Sequence, residues 1–361
     1  MTPSNRPSCK INLICGTLGA GKTTLLRHLL KQKPSDETWA IIVNEFGAIG
    51  LDGAILSSQN SASVHEIPGG CICCSAMPEL QETLDTLLRE YRFDRILIEP
   101  TGLSEPETLV DLLRNLKQEL GAQKSVFLEN IICVFAANEL DPQLWQTKLS
   151  YRNLSHMADI VLLNKSDLCS DEHLKSLTDY ASGLYPPKQA VVLTQQSEVD
   201  AALLKPTAKA EGLYFLNDPQ TAKTTSPKQK SLHQPRRIVH ESMPDHPLLL
   251  DYQQQQSRAT LSYGWLFSPE AEFDWQKLHT LFEDFNNEPS VSELRRMKGV
   301  FRVGKPWMLF QWRQKQLSRE LISYRKDSRI EILIAAQQTD KPFNPSDFYR
   351  GLINCLKTQD G

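Results

Sequence analysis

The first 200 residues alternate short apolar segments with longer amphipathic ones. Several of the short segments are apolar at every position, which is typical of strands buried on both faces of a mostly parallel sheet. The predicted strands cover residues 11–16, 39–45, 63–67, 94–100, 130–137, 159–165 and 190–194. The predicted helices cover about 22–32, 76–91, 105–120, 141–157 and 170–182. This order predicts a doubly wound α/β domain that binds its ligands at the carboxyl ends of the strands.

The pattern changes after residue 205. Residues 206–257 are predicted to be a linker or mobile segment, because stretches such as 221–237 and the tract Gln253–Gln256 are polar and poor in aromatic residues. Further elements follow, with strands at 258–267, 296–303, 306–313, 317–323 and 329–335 and helices at 274–285 and 345–356. We therefore predict an α/β domain over 1–205 and a smaller α+β domain over 258–361.

Charge and cysteine content narrow the class of protein. The chain has 40 Lys and Arg against 43 Asp and Glu, with no dense basic run, so a nucleic-acid partner is not expected. No apolar run is long enough for a membrane span, and the first apolar run is too short for a signal peptide. Five cysteines lie singly, which favours a reducing, cytoplasmic setting: Cys9, Cys15, Cys133, Cys169 and Cys355.

The segment GTLGAGKTT fits the pattern G-x-x-x-x-G-K-[ST] between a predicted strand and a predicted helix. Its glycines would allow backbone amides to point at phosphate oxygens. Lys22 would bridge the β- and γ-phosphates, and Thr23 would bind Mg²⁺. The competing interpretation is a glycine-rich turn that only closes a strand–helix corner. The residues expected to contact nucleotide are Gly16, Gly19, Ala20, Gly21, Lys22, Thr23 and Thr24.

Glu99 ends a predicted strand and is the candidate for a second Mg²⁺ ligand. It follows four apolar residues in RILIEPTG, and Gly102 comes three positions later. The usual acid at this position is Asp, so Glu99 is a variant of the pattern. A carboxylate that caps the next helix is the alternative.

The segment VLLNKSD ends another predicted strand and predicts a guanine site. The Asp167 carboxylate can accept hydrogen bonds from both N1–H and the exocyclic amine of guanine, a donor pair that adenine lacks. Asn164 would support the loop, and the stem of Lys165 would lie over the base. GTP is therefore the expected nucleotide.

Three thiols lie within four positions of GGCICC, at Cys71, Cys73 and Cys74. They are too close in sequence for an easy unstrained disulfide, and they suit a loop around one borderline-soft ion such as Zn²⁺. Only three ligands are local, so the fourth comes from elsewhere or the position stays open, as suits an ion that is passed on. The alternatives are a redox-sensing thiol group and small residues in a tight turn.

Five segments in this order and spacing resemble the CobW-type P-loop GTPases, which are metallochaperones. These segments are GTLGAGKTT, VNEFGAIGLD, GGCICC, EPTG and NKSD. The resemblance implies a GTPase that uses GTP and Mg²⁺, binds Zn²⁺ or Co²⁺ at the cysteine motif, and passes the metal to a client metalloprotein. It also implies that the nucleotide gates the metal affinity. The second domain is expected to dock the client, and a homodimer is possible.

By position, Asn44–Gly47 matches the first switch segment of that family. Glu45 is then a candidate contact of the metal or of the attacking water, and it joins Lys22, Thr23 and Glu99 as a catalytic candidate; Asp52 lies in the same switch region. Ala48 stands where the family commonly has an acid, and Pro100 replaces a more usual small polar residue. We expect slow intrinsic turnover, because the sequence shows no clear arginine finger. The alternative function is a redox-regulated P-loop GTPase with a thiol switch.

Overall fold

The computed structural model describes residues 8–43, 63–66, 77–100, 106–120, 125–207, 236–237, 243–256, 260–287, 294–313, 316–335 and 343–357. The chain divides into two compact units, Met1–Thr207 and Ala208–Gly361. Each unit has its own seven-stranded sheet.

The first unit is a doubly wound α/β domain. Its strands are β1 Ser8–Gly16, β2 Trp39–Val43, β3 Ser63–Glu66, β4 Arg95–Glu99, β5 Ser125–Ala136, β6 Ile160–Asn164 and β7 Ala190–Leu193. Its described helices are α1 Lys22–Lys31, α2 Met77–Glu90, α3 Pro106–Leu120, α4 Pro142–Thr147, α5 Leu149–Met157 and α6 Asp171–Ser182. The strand order is β3-β2-β4-β1-β5-β6-β7, and all neighbours are parallel. The predicted fold class of this unit is confirmed.

Both faces of this sheet are covered, which explains strands that are apolar at every position. Successive side chains of a strand point to opposite faces. Leu13 packs in a cluster with Leu84 of α2, whereas its neighbour Ile14 packs in another cluster with Leu29 of α1. Each such buried side chain stabilises the fold by about 1.5–3 kcal/mol relative to an exposed one.

The helices cover the sheet with one apolar side. In α1 the buried leucines recur at the spacing of a helix face: Leu25, Leu26, Leu29 and Leu30. Among the residues that the structure describes, no helix combines the length and the apolar character needed to cross a membrane.

The helix predicted over 141–157 is in fact two helices. Lys148 separates α4 from α5 with an extended backbone (φ −80°, ψ 114°). Asp141 caps α4 by accepting a hydrogen bond from the Leu144 N–H at 2.8 Å. Trp145 of α4 and Leu154 of α5 nonetheless pack in the same core cluster, although nine residues apart they would lie on opposite faces of one continuous helix.

The second unit is an α+β fold around an antiparallel sheet. Its strands are β8 Arg236–Arg237, β9 Leu249–Gln256, β10 Thr260–Phe267, β11 Leu294–Arg302, β12 Trp307–Arg313, β13 Gln316–Ile322 and β14 Ser328–Ala335, in the order β13-β12-β11-β14-β10-β9-β8. Helices α7 Trp275–Asn287 and α8 Pro345–Asn354 share its aromatic core, in which Phe282 and Phe348 meet Phe301 and Trp265. The predicted α+β class is confirmed.

The tract Gln253–Gln256 was predicted as part of a linker, and this prediction is wrong. The tract forms the end of β9, which pairs antiparallel with β10, so that Gln254 lies opposite Tyr263. Backbone hydrogen bonds do not depend on side-chain polarity, and the ring of Tyr252 packs 5.4 Å from that of Trp265. The polar composition of a half-buried strand therefore concealed it.

His156 is a buried histidine near the C-terminus of α5. Burial lowers its pKa to about 3, and the positive charges of Lys188 and Arg152 act in the same direction. The Lys188 ammonium donates to the carbonyls of His156 at 3.2 Å and Ala158 at 3.0 Å. His156 is therefore neutral in the folded protein.

We expect mild acid to destabilise the protein through His156. The unfolded chain binds this proton with a pKa near 6.5 and the folded protein with a pKa of about 3, so stability present above pH 6.5 is lost as the pH falls between these values. The slope approaches about 1.4 kcal/mol per pH unit. Urea unfolding at pH 7 and pH 5 should show a smaller loss for His156→Gln than for the native chain. Equal losses in the two proteins would contradict the assignment.

Candidate functional site

The predicted phosphate loop connects β1 to α1 at the carboxyl edge of the parallel sheet. Gly16 approaches β5 so closely that a Cβ there would lie 2.2 Å from the Val134 carbonyl oxygen. Gly21 precedes α1 with a φ of 106°, a conformation that favours glycine. Between them the Ala20 N–H donates to the Thr17 carbonyl at 3.2 Å. The loop thus curls over the N-terminus of α1, where anions are favoured.

Lys22 and Thr23 begin α1 and meet Glu99 at the end of β4. The Lys22 ammonium lies 3.9 Å from Glu99 Oε1 and donates to the Thr17 carbonyl at 3.1 Å. The Thr23 hydroxyl donates to Glu99 Oε2 at 3.4 Å. Thr24 follows and is half-buried. The structure brings Lys22, Thr23 and Glu99 together, and their burial strengthens the ion pair.

The oxygen atoms at this cluster suit Mg²⁺. Mg²⁺ prefers hydroxyl, carboxylate, phosphate and water oxygens, and it commonly takes one or two protein ligands beside the phosphates of a nucleotide. Thr23 and Glu99 supply such oxygens 3.4 Å apart. Pro100, the departure noted after Glu99, is buried.

Asn164 ends β6 and joins the predicted guanine turn to the phosphate loop. Its side-chain amide donates to the Ala20 carbonyl at 2.7 Å. Lys165 follows with a left-handed backbone (φ 60°), and its ammonium lies 3.1 Å from Glu139 Oε1. Asp167 is exposed in the short turn Ser166–Leu168. The turn and the loop therefore share one edge of the sheet.

Ser197 lies in the turn after β7 and is not among the residues that the sequence motifs predict for the site. This residue is fully buried, its hydroxyl donates to the Gly21 carbonyl at 3.0 Å, and its N–H donates to Asn164 Oδ1 at 2.8 Å. The segment TQQS (194–197) has no motif of its own. The available signal was its place directly after the strand that follows β6, since consecutive parallel strands tend to be neighbours.

The metal and switch candidates lie outside the residues that the structure describes. They are Glu45, Ala48, Asp52, Cys71, Cys73 and Cys74. In the described ranges, no group of three or more His, Cys, Asp or Glu side chains could hold a metal ion.

The described strands do fix where both of those segments begin. Val43, the last residue of β2, pairs with Glu99 of β4 on one side and with Glu66 of β3 on the other. Neighbouring strands are about 4.8 Å apart, so these three positions form one short row across the sheet. The chain after Val43 and the chain after Glu66 therefore both start at the level of Glu99.

The sequence pattern of one known family covers most of this region. That family, described as CobW/HypB/UreG, nucleotide-binding domain, matches residues 10–192 of the 361. The chain belongs to the CobW/HypB/UreG family. The resemblance to CobW-type P-loop GTPases is thereby confirmed for this chain.

The relatives of this CobW-family chain differ in how much of it they align with. The zinc chaperone YeiR of Escherichia coli (strain K12) is 31% identical over 353 residues, which are 91% of this chain and 94% of YeiR. Zinc-regulated GTPase metalloprotein activator 1 of Schizosaccharomyces pombe (strain 972) is 30% identical over 171 residues, which are 45% of this chain and 40% of that protein. The crystal structure of Zn(II)-bound YjiA GTPase from E. coli, at 18% identity and a TM-score of 0.42, covers 97% of this chain and 99% of its own.

In this CobW-family protein, Gly21→Ala should be more damaging than Gly19→Ala. A Cβ at Gly21 would lie 2.4 Å from Asn164 Nδ2 and 2.7 Å from Ser197 Oγ, whereas one at Gly19 would meet nothing within 4 Å. Both glycines have positive φ, so backbone strain should lower the free energy of unfolding of each variant by about 1 kcal/mol or more. Urea unfolding without nucleotide should show a further loss of about 1–3 kcal/mol for Gly21→Ala. Equal losses would contradict the close contact.

Proposed function

We propose that this protein is a GTP-hydrolysing metallochaperone that binds Zn²⁺ and transfers it to a client protein. The observation that carries the proposal is the cluster of Lys22, Thr23 and Glu99, which lies beside the Asn164 turn. The family match supports nucleotide binding in the same region. The alignment with the zinc chaperone YeiR over 91% of the chain supports a metal-carrying role.

The nucleotide would lie along the carboxyl edge of the first sheet. Lys22 and the amides at the start of α1 would bind the β- and γ-phosphates. Thr23 and Glu99 would hold Mg²⁺, which when bound neutralises charge on those phosphates. Asp167 would accept both hydrogen bonds from the guanine edge, and its exposed position leaves the carboxylate accessible to the base.

Hydrolysis would proceed by attack of water on the γ-phosphorus, with GDP as the leaving group. Lys22 would stabilise charge on the phosphate oxygens. Glu45 is the candidate contact of the attacking water or of the metal, and Asp52 belongs to the same segment. Turnover of roughly 10⁻⁴–10⁻² s⁻¹ is expected for a switch GTPase without a partner that supplies an arginine.

Cys71, Cys73 and Cys74 would bind the transported ion as thiolates. Zn²⁺ is the first candidate, because it takes thiolate ligands at about 2.3 Å in tetrahedral sites, and Co²⁺ is a second. Three local ligands leave one position for another group, which favours transfer of the ion over permanent retention.

The row of Glu66, Val43 and Glu99 offers a route by which nucleotide would gate the metal. In sequence, the switch segment follows Val43 and the cysteine segment follows Glu66, and both of these residues lie at the level of the Mg²⁺ candidate Glu99. Contacts of the γ-phosphate that order the switch segment would therefore act within about two strand spacings of Glu66, the residue that precedes the cysteine segment. Hydrolysis would release the switch and change the metal affinity.

We assign client recognition to the second unit. None of the nucleotide or cysteine motifs lies in it, yet the alignment with YeiR extends over it as well. We further propose that the protein acts in the cytoplasm, and a homodimer is compatible with this function.

The proposal predicts one tight metal site in the reduced protein. Titration with Co²⁺ should produce a thiolate charge-transfer band that saturates at one ion per chain, and Zn²⁺ should abolish it by competition. Absence of the band, with reactive thiols and no bound metal, would instead support the redox-regulated GTPase.

Two variants should separate the metal from the nucleotide. Cys73→Ser is expected to weaken Co²⁺ binding at least tenfold while GTP binding stays near native, since it removes one of three thiolates. Lys22→Ala should do the reverse, because it removes the phosphate-binding cation. Cys169→Ser, at a half-exposed cysteine outside the cluster, is the control and should leave the Co²⁺ band unchanged. If each variant weakened the binding of Co²⁺ and of GTP equally, the result would count against separate sites.

A further inference from the structure

The turn after β7 has an unusual backbone. Gln196 and Ser197 are consecutive residues with left-handed conformations, at φ of 51° and 55°. L side chains other than Asn and Asp rarely adopt this conformation, and such strain persists only where the surroundings fix it. Ser197 is nevertheless fully buried, with its side chain directed at the phosphate loop.

Ser197 bonds to both halves of the candidate nucleotide site. Its hydroxyl donates at 3.0 Å to the Gly21 carbonyl, the same oxygen that accepts the Leu25 N–H at 2.9 Å in the first turn of α1. Its N–H donates at 2.8 Å to Asn164 Oδ1, while the other end of that amide donates to the Ala20 carbonyl. One residue thus connects the guanine turn with the phosphate loop.

The turn is also held from outside the site. The Thr194 hydroxyl donates to the Glu198 carbonyl at 2.8 Å and so closes the turn on itself. Downstream, the Gln32 side chain donates to the Val199 carbonyl at 2.8 Å and accepts from the Ala201 N–H at 3.0 Å. These bonds involve no predicted nucleotide contact, so they fix Ser197 independently of the ligand.

We propose that Ser197 is a positioning residue for nucleotide binding. Its hydroxyl holds the phosphate loop against the residue whose N–H holds Asn164 of the guanine turn, and this arrangement slows nucleotide release. This inference rests on the proposed GTP binding. Alanine fills nearly the same volume as serine, so the packing at this buried position does not require the hydroxyl. The bond to Gly21 is what the hydroxyl adds.

The test is the rate at which a fluorescent GDP analogue leaves the full-length protein. Ser197→Ala should release it about five- to tenfold faster, the effect of one lost hydrogen bond within the site. With GTP as substrate, KM should rise by a similar factor and kcat at saturation should stay near native. The matched control is Ser155→Ala, because Ser155 is equally buried and donates to the Tyr151 carbonyl at 2.8 Å within α5. It should release the analogue at the native rate.

Ser197→Gly separates the hydroxyl from the backbone. Glycine accepts a φ of 55° without strain and keeps the N–H that Asn164 binds, so this variant should fold at least as stably as Ser197→Ala. Fast release in both variants supports the hydroxyl. Native release from the glycine variant, or from Ser197→Ala, would overturn this inference while leaving the proposed function intact. Failure of the native chain to bind the analogue would overturn both.

Discussion

The candidate nucleotide site depends on the parallel alignment of five neighbouring strands around β1. Parallel strands place their carboxyl ends at one edge of the sheet, and here each of the five contributes at that edge. β1 supplies the phosphate loop, β4 ends at Glu99, and β6 ends at Asn164. The turn after β5 contains Glu139, which pairs with Lys165, and the turn after β7 contains Ser197. Residues far apart in sequence therefore meet at this edge.

The same parallel alignment suggests how bound nucleotide would affect metal binding. In the proposed mechanism, Glu99 would respond to bound Mg²⁺ and nucleotide because it contacts Lys22 and Thr23. Val43 and Glu66 continue that row across two strands, and the switch and cysteine segments begin directly after them. Glu66, after which the cysteine segment begins in sequence, lies two strand spacings, or about 10 Å, from Glu99. In the proposed mechanism, the edge of the sheet is the common support for both ligands.

Sequence patterns revealed the first unit well, because its strands are buried on both faces and its loop motif has a strict spacing. They failed where stability comes from the backbone or from tertiary position. Gln253–Gln256 forms a strand through backbone hydrogen bonds to β10, and its polar side chains give no sign of this pairing. The turn that holds Ser197 has no motif, and its importance comes from the strand next to it. The metal role of Cys71, Cys73 and Cys74 stays a prediction, since those residues lie outside the described ranges.

In the proposed mechanism, nucleotide binding and metal binding are coupled, so that each ligand changes the affinity for the other. Such coupling must be reciprocal. The most direct measurement is the affinity of the reduced native protein for a non-hydrolysable GTP analogue, with and without saturating Zn²⁺, beside the Zn²⁺ affinity with and without the analogue. We predict that both affinities change by the same factor, of about fivefold or more. Tight binding of each ligand, with neither affinity altered by the other, would contradict a GTP-gated metal carrier.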